Sequence, residues 1–375
     1  MKTLLSYRKI QGVLVVFLAL SFAVTSVAEW KSALPGWQYE FPRDHHSHPD
    51  FKTEWWYFTG RLTDDAGSVF GYQVTFFRQG LRPPGERTPA TSRFVVDNLK
   101  FAHFAVSDVR GQRFRFFQQL QRGAFGEAGF GADSRLAWIG DWSLNLVGEN
   151  AFAIHAKDAD VELDLKLTSG KPWIIHGENG VSQKAAGDGH ASHYYSATRL
   201  QSTGTLTLVG KTYRVMGESW LDREWASNQL TSEQAGWNWF SIQLDDGTEL
   251  MLYQMRLKDG GLDPNSSGTF VARDGRAEHL QRDDYQLTAE QTWASPATKG
   301  LYPIAWHLTV PKLGMDVHVT TPLRNQELVL NPIAYWEGLI DVAGTRSGAK
   351  VSGHGYMELT GYAGELVGLS DAAKE

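Results

Sequence analysis

Short runs of β-forming residues separated by turn residues dominate the sequence. Residues 55–62 and 69–77 are two such runs, and Asp64, Asp65 and Gly67 stand between them. Two β runs around an Asp/Gly turn are typical of a hairpin. Similar runs recur along the chain with glycine-bearing turns, and no long segment has a helical period of apolar residues. The pattern predicts an all-β protein built as a sandwich or barrel.

The first hairpin has a counterpart later in the chain. Residues 56–62 and the two aspartates after them match residues 238–244 and the two aspartates that follow. Because successive side chains of a strand point to opposite faces, both copies place the same residue types on the same faces. Chance similarity of two aromatic hairpins is the alternative. The stronger interpretation is two related β domains.

The N-terminus has the order of a secretory signal. Lys2, Arg8 and Lys9 precede an apolar run at residues 13–24, and Ala28 ends a small-residue cleavage site. An uncleaved anchor is the alternative, but the run is short for a spanning helix, which needs about 20 apolar residues. We expect cleavage after Ala28 and a periplasmic or secreted protein with no stable membrane span after signal cleavage.

Composition excludes several classes of protein. The chain has no Cys, which excludes disulfides, thiolate metal sites and a cysteine nucleophile. Its net charge of -6 argues against nucleic-acid binding, which needs a basic face. Nucleotide-binding glycine motifs and the zinc-protease motif are absent, so we expect no cofactor. The chain does carry 14 Trp, 13 Tyr and 19 Phe, an aromatic load that suits an apolar pocket.

Two acidic residues beside tryptophan form the first candidate site. Within residues 217–225, Trp220, Asp222 and Glu224 fall on one face of a strand, and Arg223 falls on the other. Asp222 and Glu224 would stand about 7 Å apart. Their pKa values could differ enough to make one an acid and the other a base. A salt-bridged stretch that only stabilises the domain junction is the alternative.

Two further groups combine tyrosine with polar partners. Tyr335 and Glu358, the latter within the alternating run 356–362, suit the wall of an amphipathic pocket. A hydrogen-bonded layer inside a barrel is the alternative. Tyr194 lies in a run of His and Tyr at residues 190–200 that could supply proton transfer.

A fourth polar group lies near the start of the mature chain. Residues 44–50 hold three histidines within four positions. Side chains so crowded cannot all reach one ion from a regular element. We therefore expect a solvated or hydrogen-bonded loop there and no metal site.

Five motifs together resemble the AttH/carotenoid 1,2-hydratase (hydroxyneurosporene synthase) family, whose secreted branch is often labelled "predicted secreted hydrolase". They are HPDFKTEWWY (48–57), WLDREW (220–225), GWNWF (236–240), YWEG (335–338) and ELTGY (358–362). The resemblance implies two consecutive lipocalin-like antiparallel β-barrel domains. We place them at residues 38–222 and 223–365.

The resemblance also implies a chemistry. Hydratases of this family add water across the terminal double bond of an acyclic carotenoid. An acid protonates the alkene, aromatic faces stabilise the cation, and a base activates water. Asp222 and the aromatic residues fit these roles. Arg223 stands where the resemblance implies a histidine in hydratase-type members.

Three functions follow in order of preference. The first is binding of an apolar lipid or isoprenoid-like molecule, since a small barrel can hold one ligand. The second is a hydro-lyase acting on an isoprenoid double bond, and the third is a secreted hydrolase, which has no nucleophile or metal motif behind it. The expected catalytic residues are Asp222, Glu224 and Tyr194. The expected ligand contacts are Trp55, Trp56, Trp220, Trp237, Trp239, Tyr335, Trp336 and Glu358.

Overall fold

A computed structural model describes residues 29–87, 95–330 and 333–364 of the chain. The predicted signal peptide lies outside these residues. Within them, no helix has the length and apolar character needed to cross a membrane. The helices of this part are single 3-10 turns at Arg43–His45, Pro84–Glu86, Arg282–Asp284 and Pro311–Leu313.

The first of two antiparallel sheets has thirteen strands. They are β1 (Thr53–Asp64), β2 (Val69–Gly80), β3 (Asn98–Asp108), β4 (Arg113–Gln121), β5 (Ala128–Phe130), β6 (Arg135–Ile139), β7 (Trp142–Gly148), β8 (Ala151–Asp158), β9 (Val161–Ser169), β10 (Ile174–Ile175), β11 (Ser182–Gln183), β12 (Ala191–Leu208) and β13 (Lys211–Ala226). Their order is β4-β3-β2-β1-β13-β12-β9-β8-β7-β6-β5, and β10 and β11 pair with β12. The sheet curls into a nearly closed barrel.

The second sheet has ten strands. They are β14 (Gln234–Leu244), β15 (Glu249–Leu257), β16 (Ser267–Val271), β17 (Ala277–Leu280), β18 (Gln286–Ala294), β19 (Leu301–Val310), β20 (Met315–Thr320), β21 (Glu327–Val329), β22 (Ala334–Arg346) and β23 (Ala349–Leu359). Their order is β17-β16-β15-β14-β23-β22-β20-β19-β18, with β21 on β22, and they form a half-barrel. The predicted all-β fold of two consecutive lipocalin-like barrels is confirmed at this level.

The two sheets follow one another along the chain. The first ends at Ala226 and the second begins at Gln234. The expected division after Asp222 falls within β13, and the assignment of two domains stays a prediction.

Strand alternation decides which side chains fill the barrels and which face the other sheet. Phe58 and Leu62 lie in the core of the first barrel, and Phe240 lies in the core of the second. Tyr57 and Trp239, each one position away, point outward and meet edge to face with ring centroids 5.4 Å apart. The matching hairpins therefore bury one face in their own barrel and join the two sheets through the other.

A glycine on β2 allows the sheets to approach closely. A Cβ atom at Gly71 would lie 2.5 Å from Cγ of Leu339 on β22. A side chain at this position would therefore require Leu339 or its strand to shift.

Polar contacts also fix the sheets against each other. Glu249 on β15 accepts hydrogen bonds from Lys171 Nζ at 2.7 Å and Arg199 Nε at 2.6 Å. Gln243 on β14 donates to the carbonyls of Thr198 and Ser219 at 2.8 and 3.0 Å. These hydrogen bonds connect the two sheets and hold them in a fixed relative position. The space between the sheets therefore has a defined shape.

The histidine-rich segment packs against residues of the first barrel. His45 Nδ1 lies 2.6 Å from the hydroxyl of Tyr195, and the His48 ring stacks on Trp225 at 3.8 Å. His48 Nε2 lies 3.2 Å from Asp44 Oδ1. His45 and His48 therefore make contacts within the protein.

Candidate functional site between the two sheets

A cavity of about 330 Å³ lies between the two sheets. Its walls come from the outward faces of strands in both sheets, including β1, β13, β14, β22 and β23. The barrel cores are packed with large side chains of their own, and this cavity lies at the interface between the sheets. A volume of this size suits a small-molecule site.

Asp222 is the central polar residue of this cavity. The side chain is almost fully buried and accepts hydrogen bonds from Tyr194 Oη at 2.7 Å, Trp220 Nε1 at 2.6 Å and Ser196 Oγ. Burial raises the pKa of the Asp222 carboxyl to about 7, although the three donors oppose the rise. Near neutral pH the residue can therefore exist as the acid or the anion.

Tyr194 is held in place by both sheets. Its hydroxyl donates to Asp222 and accepts a hydrogen bond from Trp239 Nε1 at 3.2 Å. Burial and the charge of Asp222 raise the pKa of the phenol well above its ordinary value. Tyr194 therefore stays protonated and can stabilise the anionic form of Asp222.

A chain of hydrogen bonds continues behind Asp222 and away from the cavity. Ser196 Oγ lies 2.6 Å from His176 Nε2, and His176 Nδ1 lies 2.8 Å from Thr269 Oγ1 on the second sheet. Burial lowers the pKa of His176 well below its ordinary value, so the ring is neutral. While Ser196 donates to Asp222, His176 donates to Ser196 and accepts from Thr269, and the chain fixes the orientation of the carboxylate.

Replacing His176, which does not itself line the cavity but packs on Tyr194, should weaken the fold. We expect His176→Leu to lower the free energy of unfolding by about 1–3 kcal/mol, because Ser196 and Thr269 each lose a buried partner. Urea unfolding followed by tryptophan fluorescence measures the change. His318→Leu is the control, because His318 is 55% exposed and should cost little. If the two variants were equally stable, the hydrogen bonds of His176 to Ser196 and Thr269 would make no measurable contribution to the free energy of unfolding.

Glu224 forms the next part of the same wall. It lies two residues beyond Asp222 on β13, as strand alternation predicted, and its Oε2 atom is 3.6 Å from Lys184 Nζ. Burial raises the pKa of Glu224, and the positive charge of Lys184 opposes that rise. The pair places a cation and an acid side by side in a buried site.

Two more carboxyls stand on the wall formed by the second sheet. Glu337 on β22 and Glu358 on β23 are direct register partners. Burial raises the pKa of Glu358 to about 7, and the charges of Asp222 and Glu224 add to the rise. Burial and the charge of Glu358 hold the pKa of Glu337 well above its ordinary value. The two facing carboxyls are therefore both harder to ionise than a free glutamate, and they titrate as a pair.

Two polar groups on this wall face each other. Tyr57 Oη and Glu337 Oε2 are buried, belong to residues that line the cavity, and make no hydrogen bond of normal geometry among the described atoms. Burial and the nearby Glu337 carboxyl raise the pKa of the Tyr57 phenol well above its ordinary value. Imperfectly paired buried polar groups are costly, so this pair is suited to a further polar group, such as water.

Aromatic rings form much of the remaining lining. Trp55, Trp237, Trp239 and Tyr335, four of the expected ligand contacts, line the cavity, and their contact with a ligand stays a prediction. Tyr335 Oη lies 2.6 Å from His103 Nδ1. These surroundings are apolar enough to account for the raised pKa values of the carboxyls within them.

Three of the expected ligand contacts do not line this cavity. Trp56 and Trp336 lie in the cores of the first and second barrels, because they occupy the opposite strand face from Trp55 and Tyr335. Trp220 lies in the layer between the sheets and reaches the site only through its hydrogen bond to Asp222. These residues shape or support the site rather than line it.

Arg223 also faces away from the cavity. Its guanidinium lies 3.8 Å from the ring centroid of Trp56 and is paired with buried Glu54. The family resemblance implies a histidine at this position. The arginine found here lies on the face of β13 that points into the first barrel, opposite Asp222.

Sequence reasoning missed Lys184, His176 and His103. Lys184 and His176 lie in the irregular stretch before β12, where no periodic pattern marks a face. Glu337, within the motif at residues 335–338, also lines the cavity and is not among the expected site residues. The Tyr/Glu alternation of β22 would have identified it once Tyr335 was assigned to a pocket.

A cluster on the outside of the first sheet has ligand types suited to a metal. His155, Glu162 and Asp164 each offer one possible ligand atom, and these three atoms lie within 4.8 Å of one another. Asp164 is paired with His155 at 2.7 Å, and Glu162 with Lys157 at 2.8 Å. None of these residues lines the cavity.

Comparison with known proteins gives a consistent assignment. Residues 32–362 match the sequence profile of the AttH-like family. A crystal structure from Nitrosomonas europaea, described as an AttH, is 34% identical and covers 88% of this chain and 99% of its own, with a TM-score of 0.79. Kievitone hydratase from Nectria haematococca is 14% identical, covers 90% and 97%, and has a TM-score of 0.68, a likeness in fold. No curated protein sequence matches the chain.

Proposed function

The chain belongs to the AttH-like family, and we propose that it binds an isoprenoid-like small molecule between its sheets and adds water across a double bond of that molecule. The observation that carries the proposal is Asp222, whose carboxyl has a pKa raised to about 7 by burial in an aromatic cavity. An acid of this kind can hold a proton at neutral pH and deliver it to a weakly basic carbon.

Asp222 is the proposed proton donor. A new C–H bond forms as the π bond breaks, which leaves a tertiary carbocation and the Asp222 carboxylate. Tyr194 and Ser196 stabilise that carboxylate through the hydrogen bonds already described. The faces of Trp237 and Trp239 are the groups suited to stabilise the cation.

Glu358 is the proposed base. It lines the same cavity from the second sheet, whereas Asp222 lies on the first. Its carboxylate would take a proton from water as the water oxygen bonds to the cation, and Tyr57 Oη and Glu337 Oε2, which make no hydrogen bond of normal geometry, are the groups proposed to hold that water. Return of the proton from Glu358 to Asp222 through solvent completes the cycle, so the net reaction is addition of one water.

The pH profile should be bell-shaped and centred near neutrality. The active form needs a protonated Asp222 and an ionised Glu358, and burial raises both pKa values to about 7. Activity should therefore fall as pH rises and Asp222 ionises, and fall as pH drops and Glu358 is protonated. Rates with citronellic acid, which carries a trisubstituted alkene, measure the profile. Glu358→Gln should remove the acidic limb along with most of the rate, and a flat wild-type profile would contradict this assignment.

Binding without catalysis is the second candidate. The cavity volume and its aromatic lining would serve a carrier of apolar molecules equally well. Mass spectrometry of the protein after incubation with citronellic acid separates the two functions. Recovery of hydrated acid supports the hydratase, and recovery of unchanged bound acid supports the carrier.

A hydrolase has less support from the same residues. Ser196 does not line the cavity, and its hydroxyl donates to Asp222 while lying beside His176. In a Ser-His-Asp triad the histidine stands between the other two residues, which differs from the order found here.

Export is proposed from the N-terminal sequence pattern alone. Cleavage after Ala28 would leave Glu29 as the first residue of the mature protein. N-terminal sequencing of the protein recovered from a periplasmic or culture fraction would test this.

A further inference from the structure

The cavity extends across several strands of the first sheet. Its lining includes Tyr194 on β12, Glu224 on β13, Trp55 on β1, Phe77 on β2 and Phe101 on β3. These five strands are consecutive neighbours in the sheet. Four strand spacings of about 4.8 Å amount to about 19 Å. The cavity is therefore elongated across the strands.

The second sheet lines the cavity in the same direction. Tyr253 lies on β15, Trp237 on β14, Glu358 on β23 and Tyr335 on β22, and these strands are also consecutive neighbours. The ligand space consequently has two distinct ends, one near Tyr253 and the other near Tyr335.

The end near Tyr253 holds a buried cation. Lys184 Nζ lies 4.0 Å from the ring centroid of Tyr253 and donates to Ser182 Oγ at 3.1 Å. Glu224 Oε2, at 3.6 Å, is beyond the length of a good hydrogen bond. An ammonium has three donors, so among the described residues Lys184 has capacity for a further acceptor.

The opposite end is largely apolar. Phe77 and Phe101 stack with ring centroids 4.5 Å apart, and Leu330 and Ile333 also line the cavity. Of the polar residues at this end, Gln118 lies beside His103, and His103 is already hydrogen-bonded to Tyr335 Oη. The polar end can thus recognise one group and the apolar end can hold a hydrocarbon, with the carboxyls between them.

We propose that the ligand is an elongated amphipathic molecule whose hydrogen-bond-accepting oxygen, in a carboxylate or a carbonyl, binds Lys184. Its hydrocarbon part extends toward Phe77 and Phe101 and passes Asp222. Lys184 Nζ lies 4.9 Å from the ring centroid of Tyr194, whose hydroxyl donates to Asp222, so the reacting double bond is placed near this end of the cavity, a few bonds from the oxygen. This inference rests on the proposed binding of a small molecule in the cavity.

The cavity volume limits the size of that molecule. At about 330 Å³ the cavity lies at the small end of the range for small-molecule sites. Citronellic acid is a correspondingly small molecule and carries a carboxylate several bonds from its double bond. Methyl citronellate keeps a carbonyl without the charge, and the alkene hydrocarbon of the same carbon skeleton has no oxygen. These three probes differ only at the group that Lys184 would bind.

The experiment compares the affinities of the three probes for the full protein and for Lys184→Met by tryptophan fluorescence. Lys184→Met should weaken binding of the acid, the ester or both by about tenfold or more, and change hydrocarbon binding less than twofold. Lys184→Arg should retain the affinity better than the methionine variant. Lys166→Met, which removes an exposed lysine, should leave all three affinities unchanged.

The probes also identify the head group. A loss confined to the acid indicates an anionic head, and a loss for the ester as well indicates recognition of the carbonyl oxygen. Equal effects on all three probes, or no binding of any probe to the wild type, would overturn the proposal. Should Lys184→Met fail to fold, Lys184→Gln gives the same comparison while keeping a donor for Ser182.

Binding and hydration are separate readouts in this design. If the hydratase function fails, the affinities still show whether Lys184 selects an oxygen. If the head-group proposal fails, turnover of the probes still tests hydration.

Discussion

Asp222→Asn should lower the rate of water addition by about a thousandfold while leaving the fold intact. Asparagine has nearly the same shape and can still accept hydrogen bonds from Ser196 and Trp220, but it cannot donate a proton to an alkene. General acids contribute about 10²–10⁴-fold to enzymatic rates. Turnover of citronellic acid is the measurement, with circular dichroism as the check on folding.

The matched control is Asp65→Asn, which changes an exposed aspartate in the turn between β1 and β2. It should retain the wild-type rate. Turnover by Asp222→Asn at the wild-type rate would rule out Asp222 as the proton donor.

The pH dependence of stability tests the same residue without any substrate. Burial raises the pKa of Asp222 from 3.8 to about 7, so between these pH values the folded state binds more protons than the unfolded state. Stability from this group is therefore lost as pH rises, by an amount on the order of 4 kcal/mol. Asp222→Asn should lose less stability than the wild type over this range. Parallel pH curves for the two proteins would contradict a buried, high-pKa carboxyl.

Glu54→Gln should lower the free energy of unfolding by about 3–5 kcal/mol. Glu54 is fully buried and paired with both Arg78 and Arg223, so its loss leaves two buried guanidinium groups without their shared anion. Removing one partner from a buried ion network costs this much because the remaining charges stay desolvated. Urea unfolding measures the change. Glu149→Gln, at an exposed glutamate, should stay within about 0.5 kcal/mol of the wild type.

The sign of the pH effect at Glu54 is opposite to that at Asp222. Burial opposes ionisation of Glu54, but the charges of Arg78 and Arg223 outweigh it and hold its pKa well below the ordinary 4.5. Its contribution to stability is present above pH 4.5 and is lost as pH falls through the lowered pKa. A Glu54→Gln protein as stable as the wild type at pH 7 would contradict the importance of this network.

Period-two alternation made part of the site predictable. Asp222 and Glu224 share a strand face and Arg223 takes the other, which local geometry alone determines. The same rule means that Trp55 and Trp56 cannot both face one cavity. Which of the two does so depends on where the second sheet packs, and no local pattern encodes that contact.

The parts that sequence reasoning missed depend on contacts between distant segments. Lys184 enters the site by packing on Tyr253, and His176 by its contact with Thr269. Both partners belong to the second sheet, whereas Lys184 and His176 lie in irregular chain before β12. The cavity itself arises between two filled barrels, so neither barrel pattern taken alone could locate it.

A single isotope-labelling experiment can decide whether the protein adds water to a molecule bound in this cavity. The wild-type protein is incubated with citronellic acid in water labelled with heavy oxygen, and the recovered acid is analysed by mass spectrometry. We predict a product that has gained one labelled water, with the heavy oxygen on the tertiary carbon of the former double bond. Recovery of the acid unchanged, although it binds in the cavity, would contradict hydration of this isoprenoid alkene.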